Sequence, residues 1–284
     1  MSDSLNLVEL PYSDRQIIVV SDDVVVKAAR RAEEESRAKK QPPNWGIITQ
    51  GLVAPILLGS VGALIVAAVV KGVEAWGKAR ARGMRVLQVA KSEASQLVFQ
   101  PGHPRDGVLY VGHPAKPDLY YSAAEFHRFT FEHKVSEAIN LLMHLGATRI
   151  RVESVAGWSR EFAARLTVPL GPGEAIGGEV GGERSTSSSI LYEARLRGTK
   201  APRVPEQLVW YPHEPTWQSV AGGRLDFGLR EFSLGVVYEQ DYGINAKFKA
   251  DAHEAGFDLG GRFEEHAATT WRIAGEFAED GGAQ

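Results

Sequence analysis

Cysteine does not occur among the 284 residues. That one absence removes disulfides, thiolate metal sites, cysteine nucleophiles and S-palmitoylation. A basic excess is missing too. The formal net charge is −3, so no global positive field draws in nucleic acid. The first ten residues hold two acids and no base and lack the charged and apolar regions of a secretory signal. No internal repeat at solenoid or propeller periods occurs. Motifs that carry chemistry are also missing. There is no Walker loop, Gly171, Gly173 and Gly177 have the wrong spacing for a dinucleotide fingerprint, and no HExxH occurs. Gly157-Trp158-Ser159 lacks the second glycine of a nucleophile elbow. No aspartate-rich calcium loop is present.

Against those absences one segment stands out. From Ile47 to Val70 no residue is charged, and 13 of the 24 positions are Ile, Leu or Val. A helix of that length spans roughly 36 Å, against a hydrocarbon core of about 30 Å. At roughly 0.3–0.6 kcal/mol each, the branched residues alone supply on the order of 5 kcal/mol toward insertion, and Thr49, Gln50, Ser60 and the glycines subtract part of it. The side chains expected to meet lipid are Ile47, Leu52, Ile56, Leu57, Leu58, Val61, Leu64, Ile65, Val66, Val69 and Val70. Gly59, Ala63 and Ala67 recur every fourth residue and form a smooth strip on which a second helix can pack, which points to a homo-oligomer. Trp45 and Trp76 flank the stretch, and Lys71, Lys78, Arg80, Arg82 and Arg85 follow it. That is the pattern of interfacial aromatics and snorkelling cations at anionic headgroups. The competing reading is a buried helix in a soluble core, which would have to hide every face. Arg37, Lys39 and Lys40 precede the stretch, so orientation is close to a tie. The basic run from residue 75 to 92 favours a cytoplasmic C-terminal part.

The expected organisation is α+β. Residues 1–44 carry a strand and a charged helix, 45–82 the membrane helix with its basic flank, and 83–284 a soluble domain with a Gly/Ser-rich loop at 169–189. In that domain Ser122 and Glu125 form a capping box. The helix it starts shows Phe131, Val135, Ala138, Ile139, Leu142 and Leu145 on one face, and Gly146 closes it. Residues 148–155, 160–168 and 189–196 read as strands. Period-2 alternation from Phe232 to Phe277, including Ile244, Ala246, Phe248 and Ala250, predicts a four-strand antiparallel meander with one wet face.

Candidate chemistry is thin. His103, His113 and His127 lack a partner with ligand spacing, so no metal and no cofactor is assigned. His213 and Glu214 among Trp210, Tyr211 and Trp217 form the one candidate pocket, where a base could act inside an aromatic wall. The expected function is a membrane-anchored, non-enzymatic binding or scaffold protein with the lipid bilayer as partner and no nucleic acid. The alternative is a pore-forming effector that uses the 47–70 helix or the C-terminal amphipathic hairpins. A membrane-tethered enzyme is a third reading.

Overall fold

The computed structural model describes residues 6–27, 30–31, 72, 74–100, 102–158 and 190–279. The chain is α+β, and it divides into two compact units whose boundaries differ from the expected ones. Unit 1 is Met1–Phe129 with Tyr242–Glu265, and unit 2 is Thr130–Asp241 with His266–Gln284.

Unit 1 is built on a mixed five-stranded sheet. Its strands are β1 (Ile17–Ser21), β2 (Leu87–Ala90), β3 (Val98–Gln100), β4 (Leu109–Gly112) and β5 (Leu119–Ser122), in the order β2-β1-β4-β5-β3. β1 runs parallel to β2, with Val19 opposite Gln88, and antiparallel to β4. Side chains alternate between the two faces. Val19, Leu109, Val111 and Tyr121 pack on one side with Val25, Trp76, Ile244 and Phe248. Ile18, Val20, Tyr110 and Tyr120 pack on the other with Leu7, Ala94 and Leu97. Both faces are covered, which is why these strands read as short apolar runs without a polar alternation. Residues 23–27 and 30–31 are helical and precede the long excursion to β2; helix α1 (74–81) leads back into it.

Helix α2 (Phe126–His144) begins four residues beyond Ser122 and runs on past Thr130. Its predicted apolar face is buried, and Gly146, at φ +91, ends it as foreseen. Unit 2 is an antiparallel four-stranded sheet. Its strands are β6 (Ala147–Ala156), β7 (Ile190–Arg195), β8 (Glu231–Tyr238) and β9 (Thr269–Phe277), in the order β7-β6-β9-β8. One face buries Val152, Leu234, Val236, Trp271 and Ile273. The other carries charges such as Arg149, which pairs with Glu193 at 2.8 Å and Glu276 at 3.6 Å. Helix α3 (Pro215–Phe227) also belongs to this unit.

The four-strand meander is corrected. β8 and β9 form, but residues 244–250, read as a strand, and the turn read at 251–254 fall mostly in helix α4 (Ala246–Ala255). Ile244, Phe248, Ala252 and Ala255 are the buried positions there, and their spacing of four, four and three is that of a helix face. Asn245 caps it by accepting N–H bonds from Lys247 and Phe248, and Gly256 closes it. Residues 257–263 form no strand beyond one bridge between Val108 and Asp258. Residues 231–277 therefore contribute two paired strands to the sheet rather than four. The membrane stretch Ile47–Val70, the strand read at 160–168 and the loop at 169–189 lie outside the described residues. Among those that are described, no helix is long and apolar enough to cross a membrane.

Candidate functional site

The candidate pocket residues 210–217 lie in unit 2, where two charged side chains of α2 hold the 209–214 loop. Glu137 on α2 is buried. Its carboxylate accepts the backbone N–H groups of Val209, Trp210 and Tyr211 at 2.9, 2.7 and 2.9 Å. Three charge-assisted bonds to one carboxylate hold the loop down. One turn earlier, Lys134 donates to the Val237 carbonyl at 2.8 Å and pairs with Glu214 at 2.5 Å, with its ammonium 5.0 Å from the centre of the Trp210 ring. The Trp210 indole N–H donates to His133 Nδ1 at 3.0 Å. Trp217 is fully buried and reaches the Gly235 carbonyl at 3.4 Å. His213 and Tyr211 sit on a short 3₁₀ turn, with His213 exposed. These groups are engaged in holding α3 and the 209–214 loop to the sheet unit. Glu214 is the ion-pair partner of Lys134.

Sequence reasoning missed Lys134 and Glu137. The signal was present. Thr130, Lys134, Glu137 and Leu141 follow each other at helical spacing, and all four are buried. Charged residues on a helix ordinarily mark its wet side; here they mark a second buried one.

Among the described residues of unit 1 are two hollows, each lined in part by Gln88. The first, about 380 Å³, opens at the carboxyl end of β1 and is lined by Ser21, Asp22, Asp106, Asp258 and Phe257. Ligands in sheets with parallel strands commonly sit at such an end. Lys91 Nζ bridges Asp22 at 2.8 Å and Asp106 at 2.7 Å. Those two carboxylates, Asp106 first, raise the Lys91 pKa. Next to it, hydrogen bonding from Ser92 lowers the Asp23 pKa. The hollow offers mainly acceptors, with its charge partly balanced by Lys91.

The second hollow, about 350 Å³, has the opposite character. Arg30, Arg80 and Arg85 line it together with Ser13, Trp76 and Met84, and among the described residues Asp14 is the one acid in the lining. Arg30 is fixed by Glu93, at 2.7 and 2.8 Å, and by the Gln88 carbonyl. Burial raises the Glu93 pKa, but the Arg30 guanidinium and the Ala90 N–H outweigh it and hold the group below its ordinary value.

The predicted headgroup contacts divide accordingly. Arg80 and Arg85 meet in this hollow, and Lys78 is exposed on the same helix. Arg82 pairs with Glu254 at 2.6 Å. Trp76 is corrected: it is 6% exposed, its indole N–H donates to the Val86 carbonyl at 3.2 Å, and Arg80 lies 4.8 Å above its ring. It is a core residue that seats Arg80, not an interfacial aromatic. Trp45, Lys71, Gly59, Ala63, Ala67 and the lipid-facing set lie outside the described residues.

Among the histidines, His127 bonds the Ile244 carbonyl at 2.6 Å, His113 Nδ1 accepts the Ala115 N–H, and His103 is exposed. Among the described residues no group of three or more His, Asp or Glu is placed to hold a metal ion. Compared with known proteins, the chain matches no family model, no curated protein and no solved structure.

Proposed function

We propose that this chain is a non-enzymatic binding or scaffold protein held at a membrane by residues 47–70, with the stretch entering and leaving the bilayer on one side. The observation that supports the reading is the pairing of β1 with β2. The strand before the apolar stretch and the strand after it lie side by side, Ile18 to Ser21 against Leu87 to Ala90. A single crossing would carry the two strands to opposite faces of a core about 30 Å thick. That is incompatible with a shared ladder, so the single-pass arrangement is set aside. Twenty-four residues are also too few for two crossings of about 20 residues each. A shallow, returning insertion satisfies both limits, and Pro55 and Gly59 near its middle suit a break in the helix.

This topology also removes the tie in orientation. With both flanks on one side, Arg37, Lys39, Lys40, Lys71, Lys78 and Arg80 act together, and the bias of such residues assigns that side to the cytoplasm. The strip of Gly59, Ala63 and Ala67 is the proposed contact between copies.

The absence of cysteine makes the test clean. Glu9→Cys and Lys78→Cys, one on each flank, are exposed single thiols. In sealed vesicles carrying the chain, an impermeant maleimide is expected to label both from the same side. Labelling from opposite sides would remove the returning insertion. Complete release by alkaline carbonate would remove the membrane reading itself. Dye release from the same vesicles would replace the anchor with a pore.

A further inference from the structure

The stretch between β1 and β2 is flanked by two helical segments, and cations from both come together. Arg30 is contributed from before the apolar stretch, Arg80 and Arg85 from after it. In the sequence Arg30 lies 50 positions before Arg80 and 55 before Arg85. In unit 1 they border a single hollow of about 350 Å³.

Arg30 is locked by Glu93 and forms a fixed wall. Arg80 is seated on the buried Trp76 ring. Arg85 is exposed and makes no ion pair among the described residues. Ser13 adds a hydroxyl, and at present that hydroxyl donates to Asp14 at 3.2 Å. Met84 and Trp76 supply an apolar wall beside the guanidinium groups.

Planar guanidinium groups bind phosphate oxygens through paired N–H donors. An apolar wall beside them suits the glycerol portion of a lipid more than a fully hydrated ion. We infer that this hollow takes the phosphate of an anionic lipid headgroup. The choice of a lipid as the source rests on the membrane reading above; the phosphate chemistry rests on the arginines alone.

The test is sedimentation of the full chain with vesicles of phosphatidylcholine, with and without phosphatidylglycerol. Basic residues near an anionic surface each strengthen binding several-fold. The anionic lipid is therefore expected to raise partitioning about tenfold or more. The pair Arg80→Gln with Arg85→Gln is expected to remove most of that gain. Arg85→Gln alone, at an exposed position, is expected to remove part of it without disturbing the Trp76 packing. The pair Arg195→Gln with Arg197→Gln lowers the charge equally at exposed positions in unit 2 and is expected to keep the gain.

If the unit 2 pair loses as much as the hollow pair, the attraction is diffuse and the site is overturned. If the chain binds neutral vesicles and phosphatidylglycerol adds nothing, the site fails while the insertion stands. If neutral vesicles are ignored and phosphatidylglycerol binding depends on Arg80 and Arg85, the insertion fails while the site stands. Arginine-dependent binding of glycerol 3-phosphate with no vesicle binding of either kind would overturn a lipid as the source.

Discussion

The sheets of the two units reach stability by different routes. In unit 1 both faces are covered, and Val19 and Val20, neighbours on β1, are 2% and 0% exposed. In unit 2 only one face is covered among the described residues. Ile273 is buried while its neighbour Arg272 is exposed on the charged side. A sheet buried on both sides must be apolar at every position, so its sequence carries no phase. A sheet with a wet side writes its phase into the alternation. The difference also sets which positions tolerate change.

The largest expected effect lies where unit 2 is tightest. A Cβ built on Gly275 would sit 1.9 Å from the Arg149 carbonyl oxygen and 2.7 Å from the Phe232 ring. Strand β6 cannot yield there without breaking its pairing with β9. Gly275→Val is expected to cost about 3 kcal/mol or more, read as a lowered urea midpoint with an unchanged slope. A neutral result would mean that β6 and β9 are not held in this register.

The next prediction bears directly on the contrast. Val19→Thr and Val20→Thr each place a hydroxyl in a buried layer and are expected to cost about 2 kcal/mol apiece. In unit 2 the same change should be unequal on adjacent residues. Ile273→Thr is expected to cost about as much, and Arg272→Thr less than about 0.5 kcal/mol. If Val19 or Val20 behaves like Arg272, one face of the unit 1 sheet is open and the comparison fails.

This contrast accounts for what the sequence made legible. β6, β8 and β9 were found because Ile150 and Val152, then Leu234 and Val236, then Trp271 and Ile273 alternate with polar neighbours. The α2 helix was found from its spacing and from Gly146. Residues 244–250 were misread as a strand because Ile244, Ala246, Phe248 and Ala250 satisfy a period of two. Only the subset Ile244, Phe248, Ala252 and Ala255 is buried, and alanine at 246 and 250 tolerates either side. Asn245 and Gly256, at its two ends, were the deciding signals. The pairing of β1 with β2 was not legible, because 65 residues separate Ser21 from Leu87 and no local pattern encodes a partner across that distance. The basic hollow depends on that pairing and was hidden with it. The 209–214 latch was hidden for another reason: Glu137 and Lys134 look like solvent-facing helix charges until the loop they hold is in place.

The smallest expected effect concerns pH, and it separates the units by one titratable group in each. In unit 2, burial lowers the His266 pKa below its ordinary 6.5, against the opposing pull of Asp241. The unfolded chain then takes up a proton more readily than the folded one. Stability from this group is complete above the unfolded pKa of about 6.5 and declines as pH falls toward the folded value. In unit 1, Glu93 is held below its ordinary 4.5. Its contribution is complete above that value and declines only at lower pH. Urea midpoints of β9 and β1, read separately by pulse-labelling mass spectrometry, are therefore expected to diverge between about pH 7 and pH 5. β9 should weaken while β1 stays level, and His266→Asn should flatten the β9 profile. A β9 profile that keeps its slope in that variant would place the titrating group elsewhere in unit 2. Equal slopes in both units would show that they unfold as one body, and the contrast between the sheets would then concern packing alone.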